Sequence, residues 1–104
     1  MVETYGELND LKTNAVLVCH AFSGNHIAAG KKDDVTGWWN QIIGPDKAIN
    51  TNDYFVVCCN NLGGCSGSSG PISINPKTNK VYGSGFPQVS VYDWEASQKI
   101  LMDK

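Results

Sequence analysis

Two stretches of the chain hold residue types that could do chemistry, and each directly follows an apolar run. The first is His20-Ala21-Phe22-Ser23-Gly24, after Ala15-Val16-Leu17-Val18-Cys19. A loop leaving the carboxyl end of a buried strand can aim backbone N–H groups at a developing negative charge, as acyl transfer requires. The same string also serves as an ordinary polar turn after a strand, and residue types alone leave both readings open. His20 has no carboxylate at a telling spacing, so it reads as a brace for its own loop rather than a general base. His20 with His26 suggests a metal pair only weakly. Their spacing fits no helical face, no cysteine stands at a zinc-finger interval, and Asp33 and Asp34 read as solvated. No metal is expected.

The second stretch is Asn60-Asn61-Leu62-Gly63-Gly64-Cys65-Ser66-Gly67-Ser68-Ser69-Gly70-Pro71, after Tyr54-Phe55-Val56-Val57-Cys58-Cys59. Glycine-rich loops at such points can cradle phosphate. Here no Gly-Lys-Ser/Thr ending is present and no helix follows closely, so the loop is not a P-loop; the GxGxxG pattern is also missing. A serine nucleophile on a sharp turn needs Gly-x-Ser-x-Gly. Ser66 has Gly64 before it but Ser68 after it, and Ser68 and Ser69 lack the frame altogether. Cys65 has no identifiable base. The expected role of the loop is a tightly packed wall, in which glycine lets backbones approach closely.

These loops need strands to position them. Ala15–Cys19 and Tyr54–Cys59 are continuous apolar runs of strand length, suited to parallel strands buried on both faces. Residues 1–5 also favour extended backbone, and a strand at the first residue suggests further chain upstream. His20 to Asp34 reads as a long loop. Gly37-Trp38-Trp39-Asn40-Gln41-Ile42-Ile43 reads as a short helix that Gly44-Pro45 ends, forming a crossover between parallel neighbours. Asn60 to Pro87 is the least regular stretch. A final helix begins at Ser90, an N-cap, with Asp93 near the positive end of its dipole. Val89 and Trp94 have the spacing of a hydrophobic staple. Val91, Trp94, Ser97 and Leu101 share one face, with Ile100 adjoining.

Composition narrows the classes. The chain has 104 residues, 41% of them hydrophobic and 17% charged, with a net charge of -2. This is a globular composition without a basic patch for nucleic acid or a polybasic stretch for a membrane. No apolar run approaches the roughly 18 residues of a membrane span, and the first residues show no signal-peptide pattern. Cys19, Cys58 and Cys59 lie in apolar runs and read as reduced, buried thiols, which points to the cytoplasm.

The chain resembles the homoserine O-acetyltransferase family along nearly its whole length. The likeness runs through Glu3-Thr-Tyr-Gly-Glu-Leu-Asn9, Asn14-Ala-Val-Leu-Val-Cys-His-Ala21 with Ser23-Gly24, Gly37-Trp38-Trp39, Ile43-Gly-Pro45 and Asp53-Tyr54-Phe55-Val56. It is most specific in Leu62-Gly-Gly-Cys65 with Gly67-Ser68, Gly70-Pro71, Ser73-Ile-Asn-Pro76, Tyr82-Gly83 and Phe86-Pro87. The resemblance implies an α/β class: a partial α/β-hydrolase fold, its sheet mostly parallel with an antiparallel N-terminal strand. Residues 1–104 are then the N-terminal portion of a single domain, incomplete at both ends and truncated before the nucleophile elbow.

The loop at His20 is similar to the His-Gly-X-X-Gly loop of α/β-hydrolases, which implies that the Phe22 amide is an oxyanion donor. The family's serine, aspartate and histidine would lie beyond Lys104. The implied activity is transfer of an acyl group from acetyl-CoA or succinyl-CoA to the homoserine hydroxyl, in methionine biosynthesis, through an acyl-serine. The acyl-CoA is a substrate, and no bound cofactor is expected. The partners implied are these small molecules, with a homodimeric parent enzyme. An esterase fragment and a non-catalytic interaction module are the alternatives.

Overall fold

The computed structural model describes residues 1–21, 24–64 and 68–103. They form two compact units, Met1–Cys59 and Asn60–Lys104.

The first unit is built on a three-stranded sheet. Strands β1 (Val2–Tyr5), β2 (Ala15–Val18) and β7 (Phe55–Cys59) take the order β1-β7-β2. β7 lies in the middle, antiparallel to β1 (Val2↔Cys59 to Tyr5↔Val56) and parallel to β2 (Ala15↔Phe55 to Val18↔Cys58). The two expected parallel strands and their antiparallel N-terminal neighbour are therefore present. Side chains alternate across a strand, so Val16, Val18, Val56 and Cys58 share one face. Val18, Val56 and Cys58 form the core there with Ala28, Ala29 and Ile43, flanked by Tyr5, Val16 and Ile49.

Two side chains tie the loops to this sheet. The Asn14 amide donates to the carbonyls of Glu7 (2.9 Å) and Asp53 (3.0 Å), joining the start of β2 to the approach to β7. The Tyr5 hydroxyl accepts the N–H groups of Ala28 (3.0 Å) and Ala29 (3.1 Å). Gly6 follows at φ +80°, where a β-carbon would lie 2.3 Å from the Tyr54 carbonyl oxygen.

The crossover from β2 to β7 departs from expectation. Where the presumed long loop ends, β3 (Lys31–Lys32) and β4 (Val35–Thr36) form an antiparallel hairpin. Its two turn residues, Asp33 and Asp34, both have positive φ, the backbone of a type I′ turn. The expected helix over Gly37–Ile43 does not form. Instead the N–H groups of Trp38 and Trp39 donate to the carbonyls of Ile27 (3.3 Å) and Ala28 (2.7 Å), which pins the segment against residues 27–28. One turn closes where Ile43 N–H meets the Trp39 carbonyl (2.9 Å). The chain then enters a small parallel pair, β5 (Ile43–Gly44) with β6 (Ile49–Asn50). The seven residues Gly37–Ile43 are too few to offset helix nucleation when tertiary bonds compete.

The second unit begins with the glycine-rich loop. Its supposedly irregular stretch holds an antiparallel hairpin, β8 (Ile74–Asn75) with β9 (Lys80–Val81), and a 3₁₀ turn at Gly83–Gly85. Tyr82 and Phe86 pack edge to face across that turn, with centroids 5.2 Å apart. Helix α1 spans Val91–Met102 and starts as expected: Ser90 is the N-cap and makes a reciprocal capping box with Asp93. Its half-buried side is Trp94, Ser97, Leu101 and Met102, whereas Val91 (71% exposed) and Ile100 (62%) face outward.

Candidate functional site

β2 and β7 are parallel neighbours, so both carboxyl ends reach the same edge of the sheet, where Val18 stands beside Cys58. The chain leaves this edge at Cys19-His20 and at Asn60. In open α/β sheets this is the edge at which ligands bind.

At the first exit the backbone is tightly folded. Gly24 N–H donates to the Ala21 carbonyl at 2.8 Å. His20 Nδ1 lies 2.7 Å from the same oxygen. A carbonyl only accepts, so the geometry assigns the hydrogen to Nδ1. The ring also limits position 24, where a β-carbon would lie 3.1 Å from His20 Cβ and 3.3 Å from Nδ1. His20 thus braces its own loop. Phe22, the residue singled out as an oxyanion donor, lies outside the described residues, as does Ser23.

Asn25 anchors the loop to the core. Its side-chain oxygen accepts Ile27 N–H (2.9 Å), and its carbonyl accepts the Trp38 indole N–H (2.9 Å). The Cys58 thiol reaches that carbonyl at 4.0 Å. Burial pushes the Cys58 thiol up to about 12, with further contributions from the nearby Cys59 and Cys19 sulfurs. At neutral pH it is a protonated, structural thiol. Cys59 is buried as expected, but Cys19 is exposed, because β2 ends at Val18 and lies at the edge of the described sheet.

The glycine-rich loop packs on itself. Gly63, at φ +84°, donates to the Ser69 carbonyl (2.8 Å), and Ser68 Oγ donates to the Asn60 carbonyl (2.9 Å). A β-carbon at Gly70 would fall 2.3 Å from the Gly64 carbonyl oxygen. This close approach requires glycine. The Ser73 hydroxyl accepts Gly70 N–H (2.9 Å), and the Trp94 indole N–H donates to the Leu62 carbonyl (2.8 Å), so α1 holds the loop from within the same unit. Cys65, Ser66 and Gly67 lie outside the described residues.

Sequence reasoning missed the bracing residues Tyr5 and Asn25. Tyr5 carried only a strand signal, and nothing in its neighbours' types indicated that its hydroxyl would bind amides more than twenty residues away. Among the described residues, no group of three or more His, Cys, Asp or Glu is placed to hold a metal ion. No helix among them is long and apolar enough to cross a membrane.

No family model matches the chain. Curated relatives do. The chain is 60% identical over 106 residues to a homoserine O-succinyltransferase of Neisseria gonorrhoeae, covering 99% of this chain and 28% of that protein. It is 61% identical over 105 residues to the protein of that name from Halorhodospira halophila, covering 98% and 28%. Among solved structures, the homoserine O-acetyltransferase from Bacillus anthracis superposes with a TM-score of 0.92 at 43% identity, covering 98% of this chain and 30% of the other. An esterase crystal structure superposes with a TM-score of 0.91 at 42% identity and the same coverage. The chain thus spans under a third of the length of the relatives it matches. High identity over its full length and a shared backbone lead to one conclusion: the chain matches the N-terminal part of homoserine O-acyltransferases and shares their α/β-hydrolase fold.

Proposed function

We propose that residues 1–104 are the N-terminal portion of a single-domain enzyme that moves an acyl group from its coenzyme A thioester to the hydroxyl of homoserine, through an acyl-serine, in the cytoplasm. The observation that carries this reading is the loop braced by His20 at the carboxyl end of β2, beside β7. Phe22 lies between Ala21 and Gly24 in sequence. Its backbone amide would be one of two donors to the tetrahedral oxyanion, the second being the amide after the nucleophile. The nucleophilic serine, aspartate and histidine belong to the part of the family's length that this chain does not span, and the parent enzyme is a homodimer. Relatives bearing succinyl and acetyl names both match along nearly the whole chain, at 60% and 43% identity, and the donor is a short acyl-CoA of either kind.

The test is a chimera. Residues 1–104 replace the matching segment of the Neisseria gonorrhoeae protein, and thiol release is followed with homoserine plus succinyl-CoA or acetyl-CoA. Thiol release that depends on homoserine is the expected result. The esterase neighbour supports a second reading, ester hydrolysis on the same loop. A folded chimera that cleaves p-nitrophenyl esters but leaves homoserine unacylated would replace the first reading with the second.

A further inference from the structure

The acyl-transfer reading leaves a cleft of the first unit unused. It holds about 290 Å³, and its walls come from the end of β1, the crossover and the approach to β7. Tyr5, which lines it, pairs with Val56 near the start of β7, and Thr51 precedes that strand. These residues place the cleft toward the amino end of β7, whereas the acyl chemistry is assigned to the carboxyl end.

The polar side chains that line it all offer hydrogens. Tyr5 and Thr51 carry hydroxyls. The Asn40 side-chain oxygen already accepts Gly30 N–H (2.8 Å), so its NH₂ is the part left for a ligand. The Lys47 stem lies across Gly44, where a β-carbon would stand 2.9 Å from Lys47 Cδ. That course brings the ammonium to the Asn40 carbonyl, to which it donates. An ammonium has three hydrogens, and this bond uses one of them. None of the described residues lining the cleft is Asp or Glu. Asp46, the neighbour of Lys47 in sequence, accepts the Asn52 amide instead (3.2 Å). Ile43 and Pro45 add apolar wall.

Apolar walls with a few convergent polar groups make a small-molecule site. A cation set among donors, with no acid beside it in the lining, selects an anion. We propose that this cleft binds a short aliphatic carboxylate, with its headgroup on Lys47 and Asn40 and its chain against Ile43 and Pro45. The volume lies just below the range of about 300–1,000 Å³ usual for drug-sized ligands, which limits the chain to a few carbons.

The test is saturation-transfer difference NMR on the 104-residue chain, kept at low micromolar concentration, with hexanoate, hexanamide and hexylammonium as probes. Hexanoate should give a saturable signal, hexanamide should bind at least about tenfold more weakly, and hexylammonium should give none, because hydrogen bonds to a charged group are the stronger ones. Lys47→Met should weaken hexanoate by a similar factor, and Lys47→Arg should restore it. Circular dichroism of each variant checks that the fold is kept; if Lys47→Met unfolds, the comparison of the three probes on the unaltered chain decides alone. The proposal is overturned by the lack of a saturable hexanoate signal, by hexanamide binding as tightly as hexanoate, or by a folded Lys47→Met chain that keeps its affinity.

Discussion

At the residue scale, the candidate site depends on backbone groups that side chains hold in place. The role proposed for Phe22 belongs to its N–H, which proline lacks and leucine keeps. In a full-length homologue with these residues, Phe22→Pro should lower turnover by about 10²–10³, the usual loss for one oxyanion donor. Phe22→Leu should be mild. Equal losses in two variants that melt normally would assign the effect to the side chain and discard the oxyanion role. Behind the same loop, the Tyr5 hydroxyl accepts the Ala29 amide, and Ala29 is buried. Tyr5→Phe removes that acceptor and should cost roughly 1–3 kcal/mol of stability. Urea unfolding would show it as a lower midpoint at unchanged slope.

At the element scale, helix α1 rests on its first turn. Ser90 Oγ accepts Asp93 N–H, and the Asp93 carboxylate accepts the Ser90 N–H (2.8 Å) and hydroxyl (3.0 Å). These bonds, the backbone one foremost, hold the Asp93 carboxyl below its ordinary value of 3.8. A carboxylate whose folded value is lowered stabilises above its unfolded value and loses that contribution as pH falls through the folded one. Helicity should therefore decline on acidification through and below pH 3.8, and Asp93→Asn should flatten that limb in circular dichroism. Ser90→Ala should cost about 1 kcal/mol at neutral pH.

This helix was legible in the sequence because its signals are local: a capping serine, an acid three residues on, and an amphipathic run. β2 and β7 were legible because unbroken apolar runs of strand length have few other uses. The segment at Trp38-Trp39 was misread because its amides bond to Ile27 and Ala28, partners that a local pattern does not register. The hairpin at Asp33-Asp34 was hidden because its turn lacks the glycine that usually marks positive φ. Cys19 was placed inside for its apolar neighbours, yet the strand ends one residue earlier. The candidate site was legible only as a loop position; its braces, Tyr5 and Asn25, act through contacts distant in sequence.

At the scale of the whole molecule, the described sheet has β2 at one edge, paired only with β7. The unpaired backbone of such an edge invites another chain. Leu11, Val91, Tyr92 and Ile100 are more than half exposed, and a net charge of -2 supplies little repulsion. The isolated chain should self-associate, with light scattering rising steeply over tens of micromolar. A monodisperse monomer with a sharp melt would instead favour an independent interaction module. The isolated chain should also release no coenzyme A thiol from acetyl-CoA and homoserine above background, and turnover that depends on Cys65 or Ser66 would reverse that expectation.

The order of the sheet has a consequence for the chain as it is being made. β7, the strand that joins the other two, is the last of the three to leave the ribosome. Ala15 must wait for Phe55, about 40 residues later, which at ~5–20 residues per second is a pause of roughly 2–8 s. During that pause β1 and β2 have no partner in this sheet, and the apolar Val16-Leu17-Val18 is free to bind a chaperone. Synthesis rate across residues 19–54 therefore sets how long this sheet is vulnerable, and synonymous codons that slow this stretch should lower the soluble yield without changing a single residue.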